Sequence, residues 1–514
     1  MRRGLVALVA ALLSTASPSD AQDVVAGDPV PGAAPALARD SLPAILAAAR
    51  AALNRGEPED AVARWRRAQG ILGLQLLYGD DDRFRYEESA EIHRGLAEAY
   101  LALDVPYAAA VEAARGANMV EDDAGLWTLL GIARYRLADM GGAAEALERG
   151  LALDPRHAEA HWGLALVATA GNRLGEARRH GADAMAASPE PRFALGLAQW
   201  SAADADYAAA ADALTTFLEL APDDPRSAGY ESLRGFYREV ARAPANRTDP
   251  RVTRAQLNFD LKSGDEIPYV PVRFNGGAEA YILFDTGAER NVIDREFARS
   301  IGVDRIWPGG PLHGAYRQSP GGYAMIDSLG MGSLSIERVP FAVGDFDALQ
   351  LRGQGPYYIA AVVNPALVLR DFLVVLDYGH RRIELVRYDA GGSEYLERAY
   401  KLRRTIVPFR FDYNAVWPVI SVALDGSHPL PFLADTGVSD LLLGRATGAA
   451  LRLDPDRFSA AAGDHVRSDL RAILLDGTPG EPWGIDIHGV LGFPFFRGMR
   501  IAFDYQRMEM AIEN

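Results

Sequence analysis

Two stretches of this chain repeat one pattern in matched register. Pro268-Tyr-Val-Pro-Val-Arg-Phe-Asn275-Gly276 leads into Tyr281-Ile-Leu-Phe-Asp285-Thr286-Gly287, and Pro418-Val-Ile-Ser-Val-Ala-Leu-Asp425-Gly426 leads into Pro431-Phe-Leu-Ala-Asp435-Thr436-Gly437. The alternation of Val270, Val272 and Phe274, and of Ile420, Val422 and Leu424, predicts half-buried strands. Asn-Gly and Asp-Gly supply the positive backbone angles that a tight hairpin turn needs. Each copy therefore reads as a hairpin whose second, apolar strand ends at an aspartate. Val292-Ile293 and Leu441-Leu442-Leu443 follow the motifs and would hold each loop against a core.

The copies also finish alike. Phe372-Leu-Val-Val-Leu-Asp377-Tyr378 precedes Arg382-Ile-Glu-Leu, and Met499-Arg-Ile-Ala-Phe-Asp504-Tyr505 precedes Met508-Glu-Met-Ala-Ile. These predict terminal hairpins of two related, mostly β lobes, 252–389 and 405–514, joined by a link over 390–404. Asp377 and Asp504 read as turn residues at matching strand ends.

One Asp-Thr-Gly is a weak signal, but two in register are not chance. At this point the chain resembles the pepsin/retropepsin aspartic proteases, in which each lobe contributes an apolar-apolar-Asp-Thr-Gly loop. The resemblance implies a two-lobed acid-protease fold with Asp285 and Asp435 as one catalytic pair, and peptides or proteins as substrates. It implies that Thr286 and Thr436 cross-link the loops by side-chain to backbone hydrogen bonds, and that Gly287 and Gly437 let backbone approach the carboxyls. Facing carboxyls cannot both ionise readily, so the pair would share a proton and titrate as a unit. Water is the one cosubstrate required, with no metal, nucleotide or flavin.

The Gly-rich segment between Pro311 and Asp327 lies where the family places its flap, with Tyr316 and Tyr323 as alternative flap tyrosines. Lobe two has a shorter stretch between its motif and its terminal aspartate, and is expected to lack a flap. Ala288 and Val438 supply no hydroxyl beside the pair, which predicts a less acidic optimum than pepsin's. Glu289 adds a like charge near Asp285. Lobe two carries Gly489-Val490-Leu491-Gly492 where the family supports its loop, whereas lobe one carries Val362-Val363-Asn364-Pro365. That departure supports a rival reading, a catalytically inactive peptide-binding or envelope scaffold protein on the same fold.

Residues 40–241 follow a different grammar, rich in Ala, Leu, Glu and Arg at helical spacing. A shift of 34 residues places Trp127 on His161, Leu130 on Leu164, Gly141 on Gly175 and Pro155 on Pro189. That period resembles tetratricopeptide-type helix pairs, so this half is expected to be an all-α solenoid. Gly131, Ala144, Gly163 and Ala177 would allow close helix contacts. Such arrays often present a concave surface to a protein partner, and a helical bundle with no binding role is the alternative. Residues 242–251, with Pro244 and Pro250, read as a linker.

The first 21 residues read as a secretory signal: Arg2 and Arg3, an apolar run from Leu5 to Leu13, then Ser19-Asp20-Ala21. Residues 22–39 would be a flexible mature N-terminus, and the product periplasmic or secreted with no membrane segment after cleavage. The chain has 514 residues and no cysteine, which excludes disulfides, thiol nucleophiles and thiolate metal sites. A formal charge of −16 argues against nucleic acid as a partner. Neither a His-Glu-x-x-His zinc motif nor a Gly-x-Ser-x-Gly elbow is present.

Overall fold

A computed structural model describes residues 34–78, 86–261, 266–313, 318–349, 351, 358–390, 394, 397, 405–414, 416–477 and 484–513. The proposed signal segment and Tyr316 lie outside the described residues. The chain divides into two compact units, residues 1–163 with 445–452 and residues 164–444 with 453–514.

The N-terminal half is helical, as its composition predicts. Helices run Ala34–Asn54, Pro58–Tyr78, Tyr86–Ala102, Pro106–Met119, Ala124–Arg136, Met140–Leu153, Ala158–Ala170, Leu174–Ala187, Pro191–Ala203, Tyr207–Leu220 and Ser227–Val240. The first begins before residue 40, inside the stretch read as flexible, because Ala-Pro-Ala-Leu-Ala favours helix and proline is tolerated in a first turn. The repeat is visible in the backbone: Asp104, Ala138, Asn172 and Ala205 turn within successive pairs, all left-handed at φ 63, 62, 55 and 59°. Asp139 and Asp206 cap the next helices by accepting from Gly142 N and Ala209 N.

Close helix approach falls where small residues stand. A Cβ on Gly131 or Gly163 would lie 2.5 or 2.6 Å from side-chain atoms of Leu147. Ala177 is fully buried, but in the first of these pairs Ala143 takes the core position and Ala144 is half-exposed. The one-residue difference follows from the helical phase set by Ala146, Leu147 and Gly150, all buried on the same face.

In the β half the two hairpins form as the turns dictate. Pro268–Phe274 pairs antiparallel with Ala278–Phe284, and Pro418–Leu424 with Leu430–Ala434. Asn275 and Gly276 have φ 49 and 73°, and Asp425 and Gly426 have 45 and 75°. In lobe one Ile359–Val363 lies parallel to Ala278–Phe284 and antiparallel to Val292–Asp294. In lobe two Gly489–Leu491 lies parallel to Leu430–Ala434 and antiparallel to Leu441–Gly444. Each motif loop is thus held between a hairpin strand and a third strand from far along the chain.

The lobes share one sheet. Lobe one contributes Arg254–Asn258, Arg382–Arg387 and Phe372–Asp377, and lobe two contributes Arg500–Asp504, Glu509–Glu513 and Thr405–Phe411. At the seam Val374 pairs with Phe503, Val375 with Ala502 and Leu376 with Ile501. Residues that match between the copies exchange partners across the Val375–Ala502 pair, so a pseudo-two-fold axis passes through it. Phe372 to Leu376 are fully buried, which explains their unbroken apolar run. Each such side chain contributes about 1.5–3 kcal/mol of hydrophobic burial. Asp377 accepts from His380 N, and Asp504 from Gln506 N and Arg507 N, which makes both turn residues.

The segment read as a linker is partly sheet. Arg247 and Thr248 pair with Glu337 and Ile336 at the edge of lobe one, because Asn246 takes a left-handed turn and donates Nδ2 to Leu367 O. Among the described residues no helix is long and apolar enough to cross a membrane.

Candidate active site

Asp285 and Asp435 come off the ends of Ala278–Phe284 and Leu430–Ala434. Their backbone N–H groups donate to Val363 O and Leu491 O, each at 3.0 Å, so each aspartate is fixed by the third strand of its own lobe. Asp285 Oδ1 accepts from Gly287 N at 2.8 Å, and Asp435 Oδ1 from Gly437 N at 2.7 Å.

The loops then cross. Thr286 N donates to Thr436 Oγ1 at 3.1 Å and Thr436 N to Thr286 Oγ1 at 3.0 Å. Thr286 Oγ1 donates to Ala434 O, and Thr436 Oγ1 to Phe284 O, both at 2.7 Å. Both threonines are 1% exposed, so all four bonds form away from water, where an unmade bond is costly. The glycines are equally constrained: a Cβ on Gly287 would lie 2.1 Å from Asp435 Oδ2, and one on Gly437 would lie 2.3 Å from Asp285 Cγ.

The two carboxyls face and hydrogen-bond each other. Burial pushes Asp435 well above the ordinary carboxylate range, aided by the charge of Asp285. Burial also raises Asp285, against hydrogen bonds from Asp435 and from the amides of Gly287 and Ala288. Glu289 is exposed and pairs with Arg290 at 3.5 Å, so burial rather than a third carboxylate dominates the site's electrostatics. Such a pair can hold one proton and offer both an ionised and a protonated carboxyl.

Asn364 is the residue sequence reasoning undervalued. Completely buried, it donates Nδ2 to Ala288 O at 2.6 Å and to Thr286 O at 3.2 Å, while its Oδ1 accepts from Ala366 N. Its own N–H goes to Asn291 Oδ1. In lobe two Gly492 lets backbone fill the same place: a Cβ there would lie 2.1 Å from Asp440 O and 2.5 Å from Val438 O. The missing lobe-one glycine is therefore replaced by an amide that holds the loop from below. The signal was present in the sequence as a second asparagine, Asn291, following the first motif.

Tyr378 was also missed. Its buried hydroxyl has no hydrogen-bond partner among the described residues, and burial together with the charge of Asp435 pushes it far above the ordinary phenol range. Its ring meets Phe259 and Phe493 edge-on at 5.7 and 5.6 Å. Phe493 N in turn donates to Val438 O in the second active loop.

In the Gly-rich segment of lobe one Leu312 pairs antiparallel with Ser319 and His313 with Gln318. Tyr323 lies in the same segment and stacks on Phe236 with centroids 5.6 Å apart, so its ring is committed to packing. Tyr316 is among the residues outside the description. In lobe two, among the described residues, no strand lies between Arg445–Leu451 and Phe458–Ala462.

Residues 270–359 match the aspartyl protease family model, a stretch that contains Asp285 and ends before Asp435. No curated protein matches the chain. Similar solved structures include a thermophilic tetratricopeptide-repeat protein of Thermus thermophilus, at 19% identity over 39% of this chain and 100% of that one, TM-score 0.31. Pseudomonas aeruginosa pilF matches at 19% identity over 40% and 89%, TM-score 0.32. Conglutin gamma, a basic 7S globulin from lupine seeds, matches at 7% identity over 51% and 95%, TM-score 0.35.

Proposed function

We propose that the aspartyl protease domain of this chain is an endopeptidase that hydrolyses peptide bonds through Asp285 and Asp435 acting as one pair. The supporting observation is the reciprocal threonine lock, which sets the half-buried carboxyl of Asp285 against the buried carboxyl of Asp435. A water held between them gives a proton to the ionised carboxyl as its oxygen attacks the scissile carbonyl carbon. The protonated carboxyl donates to the carbonyl oxygen, which becomes the second hydroxyl of a tetrahedral diol. The carboxyl that took the water's proton then gives it to the amide nitrogen, the other carboxylate takes a proton from one diol hydroxyl as the carbonyl re-forms, and the C–N bond breaks to release the amine. Neither aspartate is the permanent base, because the proton is shared.

Asn364 supports this reading over an inactive binding protein, since it restores the loop support that the missing glycine would have given. The reading extends to an exported enzyme that works in a near-neutral compartment, with a protein partner or substrate recruited on the helical repeats. The test is cleavage of a peptide library by the purified chain from about pH 3 to about pH 8, with a statine-type transition-state mimic as competitor. Hydrolysis that the mimic blocks supports the proposal. Binding of the mimic without cleavage at any pH refutes it.

A further inference from the structure

The helices nearest the lobes make contacts that a detachable recruitment module would not need. On lobe one, Phe236 stacks on Tyr323, and a Cβ on Gly235 would lie 2.6 Å from the ring of Trp307. Arg338 Nη2 donates to Val240 O at 3.2 Å, and Tyr207, Phe236 and Val240 form one apolar cluster with Trp307, Tyr323 and Met325. On lobe two, Asn172 Nδ2 donates to Tyr505 O at 2.8 Å, and Trp200 meets Tyr413 edge-on at 6.3 Å. Between the lobes Arg370 donates Nε to Ala366 O and faces Asp204, Tyr207 and Tyr505.

All these groups belong to one compact unit, residues 164–444 with 453–514. The contacts also fall on informative positions. Tyr505 directly follows Asp504, the last residue of the seam strand of lobe two, and Tyr323 is the second residue of the strand Gly322–Met331. The same short set of helices therefore grips both lobes from outside the shared sheet.

Resting on the endopeptidase reading, we propose that helices between Leu164 and Val240 are part of the peptidase itself, a brace across the two lobes in which Phe236 and Asn172 are positioning residues for the aspartate pair. The folded catalytic unit then begins within the repeats rather than at residue 252. Partners bound to the repeats would act on catalysis through the brace.

The test uses the full chain with Phe236→Leu and Asn172→Gly. The second keeps the left-handed backbone at that turn and removes only the bond to Tyr505. The first readout is amide hydrogen exchange, which needs no turnover: both variants should speed exchange at Thr286 N and Thr436 N about tenfold, and leave Phe372–Asp377 unchanged. The second is the pH profile of kcat/KM, whose two limbs should draw together by about one pH unit as the carboxyls separate. Among the described residues Tyr378 also feels the charge of Asp435, and it is untouched by either change. Unchanged exchange at both threonines overturns the brace, whatever the chain cleaves. Faster exchange in the variants than in the wild type, where none of the three cleaves, keeps the brace and removes the endopeptidase. Should Phe236→Leu fail to fold, Asn172→Gly alone decides, and its unchanged exchange is a negative result.

Discussion

Thr286 and Thr436 each hold the other's backbone: every hydroxyl accepts from the opposite threonine N–H and donates to a carbonyl just before the opposite aspartate. The spacing of the carboxyls is therefore set by four buried hydrogen bonds and not by the carboxyls themselves. Removing one hydroxyl orphans two backbone groups on the far loop.

Thr286→Val should lower stability by about 2–4 kcal/mol, since Thr436 N and Ala434 O lose their partner in a buried site. It should lower kcat/KM by at least about tenfold, because a small displacement of a catalytic group is costly. Thr286→Ser keeps the hydroxyl and should recover most of both. Denaturant unfolding and steady-state kinetics on the three proteins check this.

Gly437→Ala should leave the fold assembled and reduce hydrolysis by at least about a hundredfold. The added methyl would fall 2.3 Å from Asp285 Cγ, so the carboxyl must move. Circular dichroism beside kcat/KM separates lost geometry from lost fold.

The pair also makes a stability prediction with a definite sign. The folded-state affinity of Asp435 for its proton is raised by burial and by Asp285. A raised folded pKa contributes stability that is complete below the unfolded value and is lost as pH rises through the folded one. Asp435→Asn, which cannot ionise, should therefore melt a few degrees above the wild type near pH 7, with the difference vanishing near pH 3. Calorimetry at the two pH values checks both the sign and the window.

Asn364→Leu conserves volume and deletes both amide donors. Thr286 O and Ala288 O then lose a buried partner, and unfolding should occur about 2–4 kcal/mol more easily. The urea midpoint of the variant reads this directly.

The hairpins, the motif aspartates and the terminal strands could be read from the chain because each depends on local chemistry. Asn275-Gly276 and Asp425-Gly426 permit only a few turn conformations, and alternation along a strand reports its buried face. The helical repeat was legible for the same reason, since its turn residues recur at one period. What escaped depends on residues distant in sequence. Asn364 looked like a lost glycine, because its worth lies in Thr286 and Ala288 carbonyls brought to it by folding. Residues 247–248 looked like linker, since an edge pairing with Glu337 and Ile336 leaves no periodic pattern in so short a segment. The packing of Tyr323 on Phe236 had no local signal either, and a Gly-rich neighbourhood invited reading that tyrosine as part of a flap.

The most direct test of the shared pair compares wild type, Asp285→Asn and Asp435→Asn for cleavage of one peptide, with binding of the same peptide followed by fluorescence polarisation. Each single substitution should lower cleavage to at least about a thousandfold below wild type while the peptide still binds. Retention of substantial cleavage by either variant would contradict it, because one carboxyl would then suffice.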